Sequence, residues 1–467
     1  MPLSHRTTEP GATRRMADWI ADAPHAWRGI ALDRAEAAFT DTVACMLVGA
    51  DDPAARRARA STAPWGTGAA TIFGTQARQA APWAALANGT AAHALDYDDV
   101  LEIANAHVSA VLVPAILALG EERRASGEAC LDAFIVGVEI LARLGEAMNM
   151  THYFLGWHTT LTLGTISAAA AAARLLELDA ARVSSAISIA TSMAAGLKWQ
   201  FGTMTKPLHA GLAAKNGILA AVMAEADMTA AEDIYEGERG FVALYAGTPI
   251  SRLDAALERL GAPPAIEQHG LWQKVYPCCA SAHRPLDAIL SLREETGISP
   301  SAINSIDALV SQVAAQNLRY PAPQDAMQAR FSMHYLLASA LVDGTLSLDA
   351  FELAALKRPQ IRELLPKITM IADPKQPGNE STDSTNHSAE VTLHLSDGSS
   401  VSRTVFDPKG HPQQAMAADE LSAKFMVCAE HCLTSDEAKS VLASLSHVRD
   451  LDEISKLTNR LRAHHDA

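Results

Sequence analysis

The chain has 467 residues with a formal net charge of −15, 49% hydrophobic and 19% charged residues. It is too long for one compact core, so two domains of an ordinary soluble globular protein are expected. Phosphate neutralisation needs a basic surface, so the acidic balance excludes sequence-independent binding of nucleic acid; an anionic ligand must be met by positive charge concentrated inside a site.

Residues 1 to 14 are polar and read as a loose tail, and no secretory leader pattern is visible. Helical spacing begins at Met16 and continues through Asp33 to Leu47. Turn residues mark 50 to 80, with a short β-prone piece at Thr71. A helix from Pro82 to Leu95 runs into the acidic turn Asp96-Tyr97-Asp98-Asp99. Helices follow over Ser109–Arg124, Ala133–Met150, Thr159–Leu178 and Ala180–Ala195. No apolar run is long enough to span a membrane.

The stretch from Ala195 to Gly211 then interrupts two Ala-rich helices with Gly, Thr, Lys and His. Gly196 and Gly202 suit a helix stop, and Pro207 suits the first turn of the next helix, Pro207–Met223. Lys206 then lies at a helix mouth, where N–H groups and the macrodipole favour a carboxylate guest. Near 264–275 the character changes. A helix over Arg284–Glu295 precedes β-prone segments at Ile303–Val313 and Ile368–Ile371. Alternating segments Ala389–Leu395 and Val401–Phe406 flank Asp397-Gly398, a hairpin signal. Helices are expected at Gln324–Leu341 and Leu348–Leu356, a loop at 373–387, and helix over the last sixty residues.

The predicted fold is mainly α with an α+β second domain. A large helical domain is built from both chain ends (15–265 and 409–467), with an α+β lid inserted at 266–408. Six cysteines (Cys45, Cys130, Cys278, Cys279, Cys428, Cys432) in a chain this long do not make a disulfide framework and suit a reduced, cytoplasmic protein.

Four clusters carry candidate chemistry. The acidic turn with Glu102 and His107 is either solvated or a site; its spacing is a poor metal signature, and no metal is assigned. His158, in Gly156-Trp157-His158, stands at the start of a long helix, where capping is the plain alternative to catalysis. Lys198, Lys206 and His209 share the central stretch. Tyr276-Pro277-Cys278-Cys279 with His283 forms the fourth; adjacent cysteines rarely share a zinc, so both read as packing residues. No Rossmann, P-loop or Gly-x-Ser-x-Gly signature is present, so no cofactor is assigned.

Together these clusters resemble the MmgE/PrpD family, which includes 2-methylcitrate dehydratase, cis-aconitate decarboxylase and iminodisuccinate epimerase. The resemblance is carried by Ala91-Ala-His-Ala-Leu-Asp-Tyr-Asp-Asp99, Gly156-Trp-His158, Phe201-Gly-Thr-Met-Thr-Lys-Pro-Leu-His-Ala-Gly211, Tyr276-Pro277 and Ala329-Arg-Phe-Ser-Met333, in order along the chain. It implies a homodimer, and active-site positions at Asp96, His107, His158, Lys206 and Tyr320. Val100 stands where many members have Thr or Ser after the Asp-Asp, and Val108 where many have Pro after the His. His152-Tyr153, before Gly-Trp-His, is closer to the epimerase branch.

The chemistry so implied is removal of a proton or CO₂ beside a carboxylate of a small di- or tricarboxylate, by a lyase without a cofactor. Dehydration of the 2-methylcitrate type is the leading expectation. Epimerisation, decarboxylation and an inactive carboxylate-binding protein are the alternatives. Lys206, His107 and His158 would steady the enediolate-like charge. A His, or Asp96, would be the base, with the His favoured because its pKa lies near neutrality. Tyr320 or Tyr153 would donate a proton, and Tyr153, Lys198, His209 and His283 would help bind substrate.

Overall fold

The computed structural model describes residues 10–376 and 387–462. A large helical part and a smaller α+β part are present, as the sequence predicts. One hydrophobic core runs from Ala12 to Leu271 and is completed by Phe425, Val441 and Leu457 near the other end of the chain. A second core spans Tyr276 to Leu393 and takes in Phe201 from the helical part.

The centre of the helical part is a set of Ala-rich helices, among them Ala81–His93, Val108–Arg123, Gly127–Met148, Thr159–Leu175 and Thr205–Glu225. Small residues let helix axes approach toward the lower end of the usual spacing of about 8–10 Å. The closest contact needs glycine. A Cβ on Gly211 would stand 2.2 Å from the carbonyl oxygen of Leu86, and one on Gly89 would stand 2.9 Å from the Cα of Gly211. This approach sets the helix carrying Lys206 and His209 against the helix that ends at His93.

The α+β part has a four-stranded sheet in the order Ile368–Ala372, Ile303–Val310, Ala389–Leu395, Ser400–Val405. The first pair is parallel and the other two are antiparallel. Ile306, Ala308, Val391 and Leu393 are buried, and the helix His283–Thr296 packs on the sheet. The hairpin turns at Gly398, whose φ of 88° suits glycine.

Local differences have identifiable causes. The N-terminal helix starts at Ala12, inside the predicted tail, because Glu236 accepts from Thr13 N at 3.2 Å and Thr13 Oγ1 at 2.6 Å. A carboxylate there satisfies free N–H groups and the dipole. The helix predicted over Gln324–Leu341 is split into Ala326–Ala329 and Met333–Asp343, since the Ser332 hydroxyl caps the second piece by accepting from Tyr335 N at 3.0 Å. Most of the loop predicted at 373–387 lies outside the described residues. The Lys206 helix begins at Thr205, two residues before the predicted start at Pro207.

Candidate active site

The site is built where the helix Ala81–His93 ends. Asp96 adopts φ 54°, the left-handed region that Asp tolerates better than most residues. That turn directs its three carboxylates inward, and Asp96, Asp98 and Asp99 are all buried rather than solvated. Each meets a different partner. Asp96 Oδ2 accepts from Lys206 Nζ at 2.8 Å, and Asp96 Oδ1 accepts from Lys274 Nζ. Lys274 Nζ also donates to the Asp96 carbonyl at 2.9 Å. Asp98 lies 2.9 Å from His93 Nδ1 and 3.0 Å from His107 Nδ1. Asp99 accepts from Ser109 N and its hydroxyl at the start of the helix Val108–Arg123.

Burial alone would raise the Asp96 carboxyl, but the Lys206 and Lys274 ammonium groups outweigh it and hold it well below the usual carboxylate range. The two ammonium groups are balanced by the Asp96 carboxylate and by Asp98, which is also held well below the usual carboxylate range. Lys206 and Lys274 are nevertheless the cations this acidic protein brings into the site. Burial, joined by the like charge of Lys274, lowers the Lys206 pKa against the pull of Asp96. The carboxylate guest predicted for Lys206 is therefore supplied, in this structure, by the protein itself.

Four histidines line the same region. His158 precedes the helix Thr159–Leu175, and its Nδ1 is 2.8 Å from His209 Nδ1, so one nitrogen donates to the other. The ring centroids of His93 and His107 are 4.2 Å apart, and those of His107 and His158 6.5 Å. His107 Nε2 is 4.0 Å from Asp96 Oδ1. Burial pushes His107 down to about 3 and His209 to about 4, and lowers His93 and, well below the usual value, His158. The imidazoles are therefore neutral at neutral pH, around a cationic pair of lysines.

The structure thus brings Asp96, His107, His158, Lys206 and His209 together. Lys198 stands apart on a short turn, with Nζ 3.6 Å from the centroid of the Tyr153 ring. The Tyr153 hydroxyl is engaged with Asn317 at 3.0 Å. Tyr320 is not brought to the cluster: its hydroxyl donates to the Phe201 carbonyl at 2.8 Å, and a Cβ on Gly202 would press on its ring. It supports the loop whose Phe201 ring packs against His158, at 4.9 Å between centroids. His283 is buried against the Trp272 and Tyr276 rings, within electrostatic range of Lys274 and Asp96.

Sequence reasoning missed Lys274, His93 and the separate role of Asp98. His93 lies inside the Ala91–Asp99 motif, and Lys274 stands two residues before Tyr276-Pro277, just outside the quoted signal. Lys274 is carried in by a backbone bridge between Val100 and Trp272, with N–O distances of 3.0 and 2.9 Å. His93, Asp98 and His107 place three potential metal-ligand atoms within 4.8 Å of one another. Both imidazole Nδ1 atoms face Asp98, so a metal there would compete directly with those hydrogen bonds.

The MmgE/PrpD N-terminal domain matches residues 14–253 and the MmgE/PrpD C-terminal domain matches residues 276–447. The chain is 30% identical over 393 residues to the cis-aconitate decarboxylase of Homo sapiens, covering 81% of this chain and 79% of that protein. It is 29% identical to the Mus musculus cis-aconitate decarboxylase, with 81% and 78% covered. A cis-aconitate decarboxylase of Aspergillus terreus is 26% identical, with 96% of each chain covered. With both domains present in order, and the motif residues gathered around Asp96, the chain belongs to the MmgE/PrpD family.

Proposed function

We propose that the protein is a decarboxylase of a cis-aconitate-type tricarboxylate, working with its own side chains. The observation that carries this is the buried Asp96 carboxylate shared by Lys206 and Lys274, beside histidines that burial keeps neutral. The named activity of the relatives favours decarboxylation over the dehydration expected from motifs alone.

In the proposed reaction a C–CO₂⁻ bond breaks and its electron pair moves into the adjoining double bond. The charge then rests on the oxygens of a neighbouring carboxylate, CO₂ leaves, and one proton is delivered to carbon. Lys206 and Lys274 stabilise the developing oxygen charge in a site with little water, where such contacts are strongest. Lys206 is the favoured proton donor, because burial already disfavours its charged form. Asp98 holds His107 by Nδ1 and leaves Nε2 facing the Asp96 side, where it can accept or relay a proton.

The test is proton NMR of the chelator-treated protein in D₂O with cis-aconitate, 2-methylcitrate and iminodisuccinate offered separately. Loss of CO₂ from cis-aconitate with deuterium at the product carbon is the expected result. Water loss from 2-methylcitrate, or exchange with inversion of iminodisuccinate, without decarboxylation, would replace this reading by the other chemistry.

A further inference from the structure

Lys198 is a half-buried lysine that pairs with no carboxylate among the described residues. No carbonyl among them accepts from its Nζ either. What it touches is aromatic: the Tyr153 ring at 3.6 Å and the Phe154 ring at 5.8 Å. The backbone holds it there. Lys198 N donates to the Gly156 carbonyl at 2.9 Å, and Trp157 bridges Leu197. Arg319 secures the far side of the same turn, donating to the carbonyls of Trp199 at 2.7 Å and Phe201 at 2.9 Å. Tyr153 is itself fixed through Asn317, which also donates to Ser281 at 3.1 Å.

A buried lysine normally finds a carboxylate or gives up its proton. Lys198 has reached neither end by a protein contact. Its turn borders the site already described, since His158 N donates at 3.0 Å to the carbonyl of Gly196, two residues before Lys198. The Cys279 thiol is in electrostatic reach of Lys198 and, at the same time, of Asp96, Lys274 and Lys206. Cys279 is thus an electrostatic neighbour common to Lys198 and to the Lys206–Asp96–Lys274 cluster.

We propose that Lys198, seated on the Tyr153 ring, is a second carboxylate subsite, and that it selects a substrate with a carboxylate remote from the one held by Lys206 and Lys274. This rests on the tricarboxylate reading above and assigns a residue to one of the remaining carboxylates. The ring face steadies the ammonium without neutralising it, leaving its N–H groups free for the ligand. Binding is linked to a proton. Burial lowers Lys198 to about 7, and the groups facing it, Tyr153 and the Cys279 thiol, are both raised by burial and uncharged near neutrality. An arriving carboxylate restores the ammonium form, so the complex takes up a proton above pH 7 and little below pH 6.

The experiment is titration calorimetry with tricarballylate, a saturated tricarboxylate, and with glutarate and 2-methylsuccinate, each lacking one of its carboxylates. Measurements at pH 8 in phosphate and in Tris report proton uptake. For the unaltered protein, tricarballylate is expected to bind at least tenfold more tightly than the better dicarboxylate, with uptake of a substantial fraction of a proton. Lys198→Met should weaken tricarballylate at least tenfold and reduce that preference below threefold. Lys198→Arg, which keeps the charge and cannot titrate, should hold affinity within threefold while proton uptake disappears. Tricarballylate binding within twofold of the unaltered protein in Lys198→Met, or unchanged uptake in both variants, overturns the subsite. Because no readout needs turnover, a protein that fails as a decarboxylase can still pass. Failure of the unaltered protein to bind any of the three acids overturns the carboxylate reading and the subsite together.

Discussion

Lys424, on the helix Ala418–Ala429 near the end of the chain, donates a 2.8 Å hydrogen bond to the carbonyl of Lys274. Lys274 is the residue that clamps Asp96. The same Nζ donates to the Tyr97 carbonyl at 2.8 Å and pairs with the buried Asp41 at 2.7 Å. Burial would lower Lys424, but Asp41 outweighs it and keeps the ammonium form. One cation thus ties the acidic turn, the Lys274 segment and an N-terminal helix into a fixed arrangement.

Lys424→Met should leave the Asp41 carboxylate buried and alone, at a cost of about 3–5 kcal/mol by chemical denaturation. Asp41→Asn combined with Lys424→Met removes that lone charge and should recover part of the stability. Turnover should stay low in the double variant, because the Tyr97 and Lys274 carbonyls remain untied. A double variant with unaltered kcat would reduce Lys424 to a charge-balancing residue.

Lys206→Ala and Lys274→Ala should each lower kcat by about 10²–10³, the scale of removing one preorganised donor to developing oxygen charge. In each case Asp96 keeps the other lysine, so the thermal midpoint should shift only modestly. Either variant retaining normal kcat would take that lysine out of the mechanism.

Stability should fall as pH drops from about 6.5 toward 4. Burial holds His107 and His283 at about 3 and His152 and His209 at about 4, against 6.5 unfolded. In that window the unfolded chain binds protons that the folded chain does not, so acid favours unfolding. Each such histidine contributes up to about 1.4 kcal/mol per pH unit. Asp96 and Asp98, whose folded values are depressed, add a further loss only below about 3.8. Denaturation across pH 4.5–8 checks the slope, and His283→Leu should flatten it by about one proton. A midpoint that is flat over this range would contradict the neutral burial of these rings.

Gly211→Ala should destabilise the protein by about 1–3 kcal/mol, the usual range for overpacking. The added Cβ meets the Leu86 backbone, which cannot move aside alone. Since the two helices carry Lys206, His209 and His93, kcat should fall as well. Crystallography or circular dichroism would separate a helix shift from unfolding, and unchanged stability would show that the helices can part freely.

Much of the helical architecture was legible because apolar and small residues recur at helical spacing over long runs, as in Thr159–Leu175, whose buried face is nearly all Ala, Leu and Thr. The hairpin was legible because Asp397-Gly398 separates two alternating segments. The split after Ala329 was not, because the choice was made by one Ser332 hydroxyl within an otherwise helical pattern. The start at Ala12 was not, because Glu236 acts from 223 residues away.

By itself the sequence determined the kind of protein: a two-part helical and α+β chain whose Asp-rich turn, Gly-Trp-His and Thr-Lys-Pro motifs mark a family. Motif spacing carries that much because each motif is local, held by its own turn or helix end. Only the tertiary structure decided which motif residues meet. It added Lys274 to Asp96 across 178 positions, set His93 and His107 on one Asp98, and turned the Tyr320 hydroxyl to the Phe201 carbonyl. The reason is physical. A buried charge must find its partner in space, and which lysine reaches Asp96 depends on how the Val100–Trp272 bridge, the Gly211 contact and Lys424 fix the backbones, not on proximity along the chain.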